Sequence, residues 1–326
     1  MLSSLLKNSF YIVLLAGCSS TAHNNVQPAG NAGETMFTTI QPEMPDTVKL
    51  RSMMELPQTQ YGGFVLQPGF YEAEFKTYCL QPGTPDPHSG DAYFQGAVSG
   101  NNKEIVETAL VNSVTHTEIP QRNIQLLLWS VVSGSDFNKL SYNVQSDAAK
   151  LLTPKQVFKL KGGVAGAIRT ISYNTGLFSA NKSMQRLFET GISSYEAFEK
   201  LAVLKEPSQV RFKNAKPDQW YQQPENYFIR YYPLSYQKVR IQLFVPANLV
   251  DSSGKVSGEY LVFDPTGKQA IPAFTNAQRL GVGAPVPEVM REIIRINKPL
   301  PPISRPSGKQ KKPAPSPKQA GTQNFL

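Results

Sequence analysis

Cysteine is nearly absent, with only Cys18 and Cys79 among 326 residues. Cys18 falls in a segment with another use, so no disulfide framework is expected and Cys79 is left as an unpaired thiol. Histidine is as scarce: His23, His88 and His116. His23 lies in a polar stretch. His88 shares a turn with Asp86 and Asp91, but the glycine and closing glutamate of an EF-hand loop are missing, and a solvated turn is the expectation. His116 follows a helix whose last carbonyls it is placed to cap. There is no His-Glu-x-x-His, Cys-x-x-Cys, Walker loop or Gly-x-Ser-x-Gly. Hydrolase and metalloenzyme classes therefore draw no support. The chain reads as non-enzymatic, with no metal and no cofactor. Long apolar runs are missing too: Phe10 to Leu15 falls well short of the ~20 residues that cross a bilayer.

That short run has a different meaning. Lys7 precedes it, and Leu15-Ala16-Gly17-Cys18 closes it. This is the layout of a cleaved export signal, and the four residues resemble the lipobox of bacterial lipoproteins. The resemblance implies that residues 1–17 are removed, that Cys18 carries a diacylglycerol, and that the new amino terminus is acylated. Several chains anchor stably where one does not, at ~0.8 kcal/mol per buried methylene. Ser19 stands where an aspartate would favour inner-membrane retention. The expected location is thus the outer membrane, facing the periplasm, with surface exposure left open.

Residues 18–60 are rich in Ser, Thr, Asn, Gln and Pro and read as a flexible tether. A body is expected over 61–297. Short strand pieces begin near Tyr61, and Glu74 to Leu80 reads as a strand carrying Cys79. Gln81 to Asp91 is turn chemistry throughout. A helical part follows, about 101–205. It has helices from Lys103, after Pro120, from a Ser146 cap, from Thr153-Pro154, and at 165–172, 181–189 and 193–204. A sheet part is expected over 206–296. Its strands are at 227–232, 239–245 and 260–263, closed by Pro233, Pro246 and Pro265. A last amphipathic helix begins at Pro285 or Pro287, with Val289, Ile293, Ile294 and Ile296 as its apolar positions. The fold class is α+β, a helical middle inserted between an early strand region and a later antiparallel sheet.

The basic, proline-rich end at 298–326 cannot bury a core. Lys298, Arg305, Lys309, Lys311, Lys312 and Lys318 supply six of the formal net charge of +9, with no acidic residue from Asn297 onward. The body is left nearly neutral, which argues against a nucleic-acid reader. Lys309, Lys311, Lys312 and Lys318 are the candidate contacts to peptidoglycan carboxylates, lipopolysaccharide phosphates or an acidic envelope protein, weakened by salt. A plain solubilising tail is the other reading. Tyr221, Tyr227, Tyr231, Tyr232 and Tyr236 gather around Trp220. They make either an exposed aromatic surface or one buried face of a sheet, and burial is favoured.

Two further motifs frame Cys79. Tyr78-Cys79-Leu80 is followed by Gln125-Leu126-Leu127-Leu128-Trp129, with Asn123-Ile124 in front. Together they resemble the thioester-forming domains of bacterial surface adhesins. Those domains carry an aromatic-Cys motif, a Thr-Gln-x-apolar-apolar-Trp motif on a helix, and a later glutamine in a strand. The threonine step is replaced here by Asn123-Ile124. The resemblance implies a bond from the Cys79 sulfur to a glutamine side chain, with Gln125 and Trp129 supporting, and Gln242 in Ile241–Val245 is the candidate glutamine. Such a bond is an activated acyl group open to amines. Read from the residues alone, Cys79 is a small buried hydrophobe and Trp129 a core anchor. Two functions stay open: a non-enzymatic structural or adaptor lipoprotein of an envelope assembly of the secretion or surface-polymer export type, and a covalent adhesin.

Overall fold

The computed structural model describes Pro42 and residues 49–162, 175–191, 194–208, 219–286 and 293–294. Cys18, His23, the helix expected at 165–172 and the basic tail lie outside the described residues. From the amino side come β1 (Leu50–Ser52), β2 (Gln58–Thr59), β3 (Phe64–Val65), the long β4 (Gly69–Cys79), β5 (Thr84–Pro85) and β6 (Tyr93–Ala97). Helices follow: α1 (Lys103–Asn112), α2 (Gln121–Ser133), α3 (Tyr142–Leu151), α4 (Pro154–Leu160), α5 (Thr175–Glu189) and α6 (Tyr195–Ala202). The chain then returns to strands. These are β7 (Val203–Leu204), β8 (Tyr221–Gln222), β9 (Phe228–Ser235), β10 (Lys238–Val245), β11 (Lys255–Val256), β12 (Glu259–Tyr260), β13 (Val262–Phe263), β14 (Lys268–Pro272), β15 (Leu280–Pro285) and β16 (Ile293–Ile294). The class is α+β.

Six strands close a barrel. β4 pairs with β10, β10 with β9, β9 with β6, β6 with β14, β14 with β15, and β15 returns to β4, all antiparallel. Closure removes the unpaired edges an open sheet would expose. The inside is chosen by alternation. Along β4, Tyr71, Ala73, Phe75, Thr77 and Cys79 are buried, while Glu72, Glu74 and Lys76 are half-exposed. On β10 the facing residues Val239, Ile241 and Leu243 are fully buried. The outer face carries charge: Glu74 meets Lys238 at 3.1 Å and Arg240 at 3.2 Å.

The helices pack where β4 and β15 meet. Close approach of α1 needs small residues on β15: a Cβ on Gly283 would lie 2.7 Å from the Tyr78 ring and 3.0 Å from Ser113 Oγ. Local signals set the helix ends. Ser141 caps α3 by accepting from the Val144 N–H. Thr153 and Gln156 close a capping box on α4, and Gly134 ends α2 in the left-handed region at φ 68°.

Several expectations are corrected. The packed body takes in Leu50–Thr59, placed in the tether by composition, because Met53, Met54 and Leu56 bury their side chains in the core. Ser146 lies inside α3 rather than capping it, and the cap is Ser141. Pro233 lies within β9 at an irregularity in its pairing with β10, where the register shifts between Lys238 and Val239. The early and late strands are not separate regions: β4 and β6 alternate with the later strands around one barrel. β14 and β15 had no expected counterpart; in β15, Gly281 and Gly283 dilute the apolar run. Ile293 and Ile294, assigned to a last helix, form β16 in parallel pairing with Gln58 and Thr59.

Candidate functional site

Beyond Lys76, β10 no longer covers its edge of β4, so the last peptide groups there need other partners. The Thr77 N–H donates to the Gln237 carbonyl at 2.8 Å. The Thr77 carbonyl accepts from Gln121 Nε2 at 3.0 Å. The Cys79 N–H donates to Gln125 Oε1 at 2.8 Å, and the Cys79 carbonyl accepts from Gln125 Nε2 at 3.0 Å. Gln121 and Gln125 are one helical turn apart on α2, so the helix continues the sheet with side-chain amides.

Trp129 follows at the next turn of the same face. It is fully buried and stacks on Tyr195 with centroids 5.5 Å apart, and on Tyr236 at 6.5 Å. Its indole N–H faces the Cys79 sulfur without closing a hydrogen bond of ordinary geometry. Burial pushes the Cys79 thiol up to about 12, only partly opposed by Trp129 and the Gln81 N–H. Cys79 forms no disulfide.

The structure does not bring Gln242 to this place. Gln242 pairs with Glu72, seven positions from Cys79 along β4, roughly 23 Å away at ~3.3 Å per residue. It lies on the outer face, where its Oε1 accepts from Arg230 Nε at 2.7 Å and its Nε2 donates to Glu72 at 3.0 Å. Gln242 is therefore not placed beside Cys79.

A different glutamine lies two residues from the ladder partner of the cysteine. Leu280 is the ladder partner of Cys79, and the Leu80 N–H donates to the Arg279 carbonyl at 2.9 Å. Gln278 comes next, just past the last ladder pair; a regular ladder carried to it would make it the diagonal neighbour of Cys79, at roughly 7–8 Å. Gln278 is fully buried. Its Nε2 donates to the carbonyls of Thr84 at 3.0 Å and Ala202 at 3.1 Å, and its own carbonyl accepts from the Tyr93 hydroxyl at 2.7 Å. Its Oε1 is buried with no partner, a costly state for an amide oxygen. Sequence reasoning missed Gln278. Its only signal was Ala277-Gln278-Arg279-Leu280, one glutamine ahead of an apolar residue.

Acidic groups stand at the same end of the barrel. Asp86 Oδ1 accepts from the Tyr236 N–H at 2.8 Å. Burial raises the Asp86 carboxyl above its ordinary range, opposed by that bond and reinforced by Glu199. Glu199 accepts a short hydrogen bond from the Tyr236 hydroxyl, which lies 2.8 Å from the Tyr195 hydroxyl.

The other expected residues are settled more simply. His116 meets Glu118 at 3.2 Å rather than capping helix carbonyls. His88 and Asp91 close a turn, the Asp91 carboxylate accepting from the His88 N–H at 3.0 Å. No group of three or more His, Cys, Asp or Glu able to hold a metal occurs among the described residues. Trp220, Tyr221, Tyr227, Tyr231 and Tyr236 are buried and Tyr232 half-buried. No helix among the described residues is long and apolar enough to cross a membrane. Cys18, Lys309, Lys311, Lys312 and Lys318 lie outside the described residues. Comparison with protein-family models, with curated proteins and with solved structures finds no match.

Proposed function

We propose that the chain is an envelope lipoprotein, anchored through Cys18, whose body attaches covalently to amines through an internal thioester between Cys79 and Gln278. One observation carries this reading. The Gln125 amide holds both backbone polar groups of Cys79, while Gln278, fully buried with its Oε1 unpartnered, stands two residues before Leu280, the ladder partner of Cys79. Such fixation supplies the proximity an acyl transfer needs. The Cys79 sulfur attacks Cδ of Gln278, the S–C bond forms and the C–N bond breaks. The thiol proton leaves with the nitrogen as ammonia.

Intact mass tests it. The thioester lowers the mass of the mature chain by about 17 Da, and methylamine then adds about 31 Da. A full-mass chain whose Cys79 is alkylated under denaturing conditions without amine treatment overturns the reading.

A second reading has its own support. Complete burial of Cys79 with its thiol pushed up to about 12 suits an inert core cysteine. The body would then be a non-covalent adaptor in an envelope assembly, with Lys309, Lys311, Lys312 and Lys318 meeting peptidoglycan or a protein partner. Unchanged peptidoglycan pull-down after removal of residues 298–326 would remove the tail from that role.

A further inference from the structure

Thioester formation between Cys79 and Gln278 makes no use of the Asp86 carboxylate. Asp86 directly follows the segment that grips Gln278: Thr84 accepts from the Gln278 side chain and Pro85 from its backbone N–H at 3.2 Å. The Asp86 backbone N–H donates to the Leu204 carbonyl at 3.1 Å, and the Tyr236 N–H holds Oδ1 of its carboxylate. Tyr93 links the parts, bonding the Gln278 carbonyl while its phenol lies within the electrostatic reach of Asp91, Asp86 and Cys79.

We propose that Asp86 relays the proton when an amine opens the Cys79–Gln278 thioester, an inference that rests on the reading above. The free amine attacks Cδ of Gln278. As the C–N bond forms, the Asp86 carboxylate takes one N–H proton. As the C–S bond breaks, it hands that proton to the Cys79 sulfur. Amine and thioester become amide and thiol, and Asp86 is regenerated.

Burial supplies the need for the relay. The Cys79 thiol is pushed up to about 12, so the sulfur departs poorly as a bare thiolate. A carboxyl raised above its ordinary range is better matched to this transfer than an exposed one. The groups facing Asp86 are Glu199 on α6, His88 in its own turn, Tyr236 between β9 and β10, Tyr93 on β6 and Cys79 on β4.

The test compares the mature chain with Asp86→Asn, following methylamine adduct formation by mass. The variant keeps an oxygen for the Tyr236 N–H. It is expected to carry the thioester and to react about a hundredfold more slowly. Reaction at the unmodified rate overturns the role of Asp86. If the variant does not fold or forms no thioester, the unmodified chain decides. With methoxyamine, which stays unprotonated near neutrality, its rate should rise with pH as Asp86 ionises and then level, and a flat profile overturns the proposal. A full-mass unmodified chain sinks the thioester itself, which is a separate result.

Discussion

Gln125 closes both outward hydrogen bonds of the Cys79 peptide with one side-chain amide, at 2.8 Å and 3.0 Å. A strand end and a helix face are thereby joined by a residue only 1 % exposed. The geometry resembles a peptide pairing with a peptide, which is why an amide rather than a hydroxyl or carboxylate suits the position.

Removing that clamp should be expensive. Gln125→Ala leaves a buried N–H and a buried C=O without partners, at about 1–3 kcal/mol each. A loss of about 2–5 kcal/mol is expected in urea denaturation. A loss under 1 kcal/mol would mean that water or the chain replaces the amide easily.

The two glutamines separate cleanly by mass. Gln278→Ala should give a chain without the 17 Da deficit (about one ammonia) and with an alkylatable Cys79. Gln242→Ala should retain the deficit, because that side chain serves Arg230 and Glu72 on the outer face. The opposite pattern would require a different barrel register.

Gly283 tests the packing of α1 on β15. A methyl group there meets the rigid Tyr78 ring at 2.7 Å and cannot be relieved by turning a flexible chain end. Gly283→Ala should cost about 1–3 kcal/mol by overpacking, seen as a lower thermal midpoint. An unchanged midpoint would mean that β15 and α1 shift apart freely.

Asp86 also sets a pH dependence of stability. Burial raises its folded pKa above the ordinary aspartate value of 3.8. The folded chain then holds a proton that the unfolded chain releases, so Asp86 favours folding most below 3.8. That contribution falls as pH rises through the raised folded value. Glu74 works in the other direction. Lys238 and Arg240 lower its pKa against desolvation, so its contribution is present above the ordinary glutamate value and lost as pH falls. Asp86→Asn should therefore gain stability relative to the unmodified body between pH 4 and neutrality, by denaturation midpoints. A constant difference across that range would contradict the buried, raised carboxyl.

Much of the helical part was legible because capping is local. Thr153-Pro154-Lys155-Gln156 announces α4 through residues within one turn of each other. α3 was misplaced by a few residues because Ser141 and Ser146 are equally good caps by composition, and only burial of Val144 and Ala148 distinguishes them. The strand carrying Cys79 was legible from alternation. β15 was not, since a strand shaped to accept a helix surrenders side chains to glycine and loses its apolar pattern; β14 was not expected either. The Gln125 and Trp129 positions were readable from their spacing, but their partners were not.

Sequence by itself determined the start of α4, the alternation of β4 and β10, and the helical face that carries Gln121, Gln125 and Trp129, because those depend on neighbours a few residues away. Which residues lie across from Cys79 was decided only by the tertiary structure. Barrel closure pairs Leu280 with Cys79 and Gln242 with Glu72, and a register between strands some two hundred residues apart is set by the packing of the whole interior, not by any local pattern.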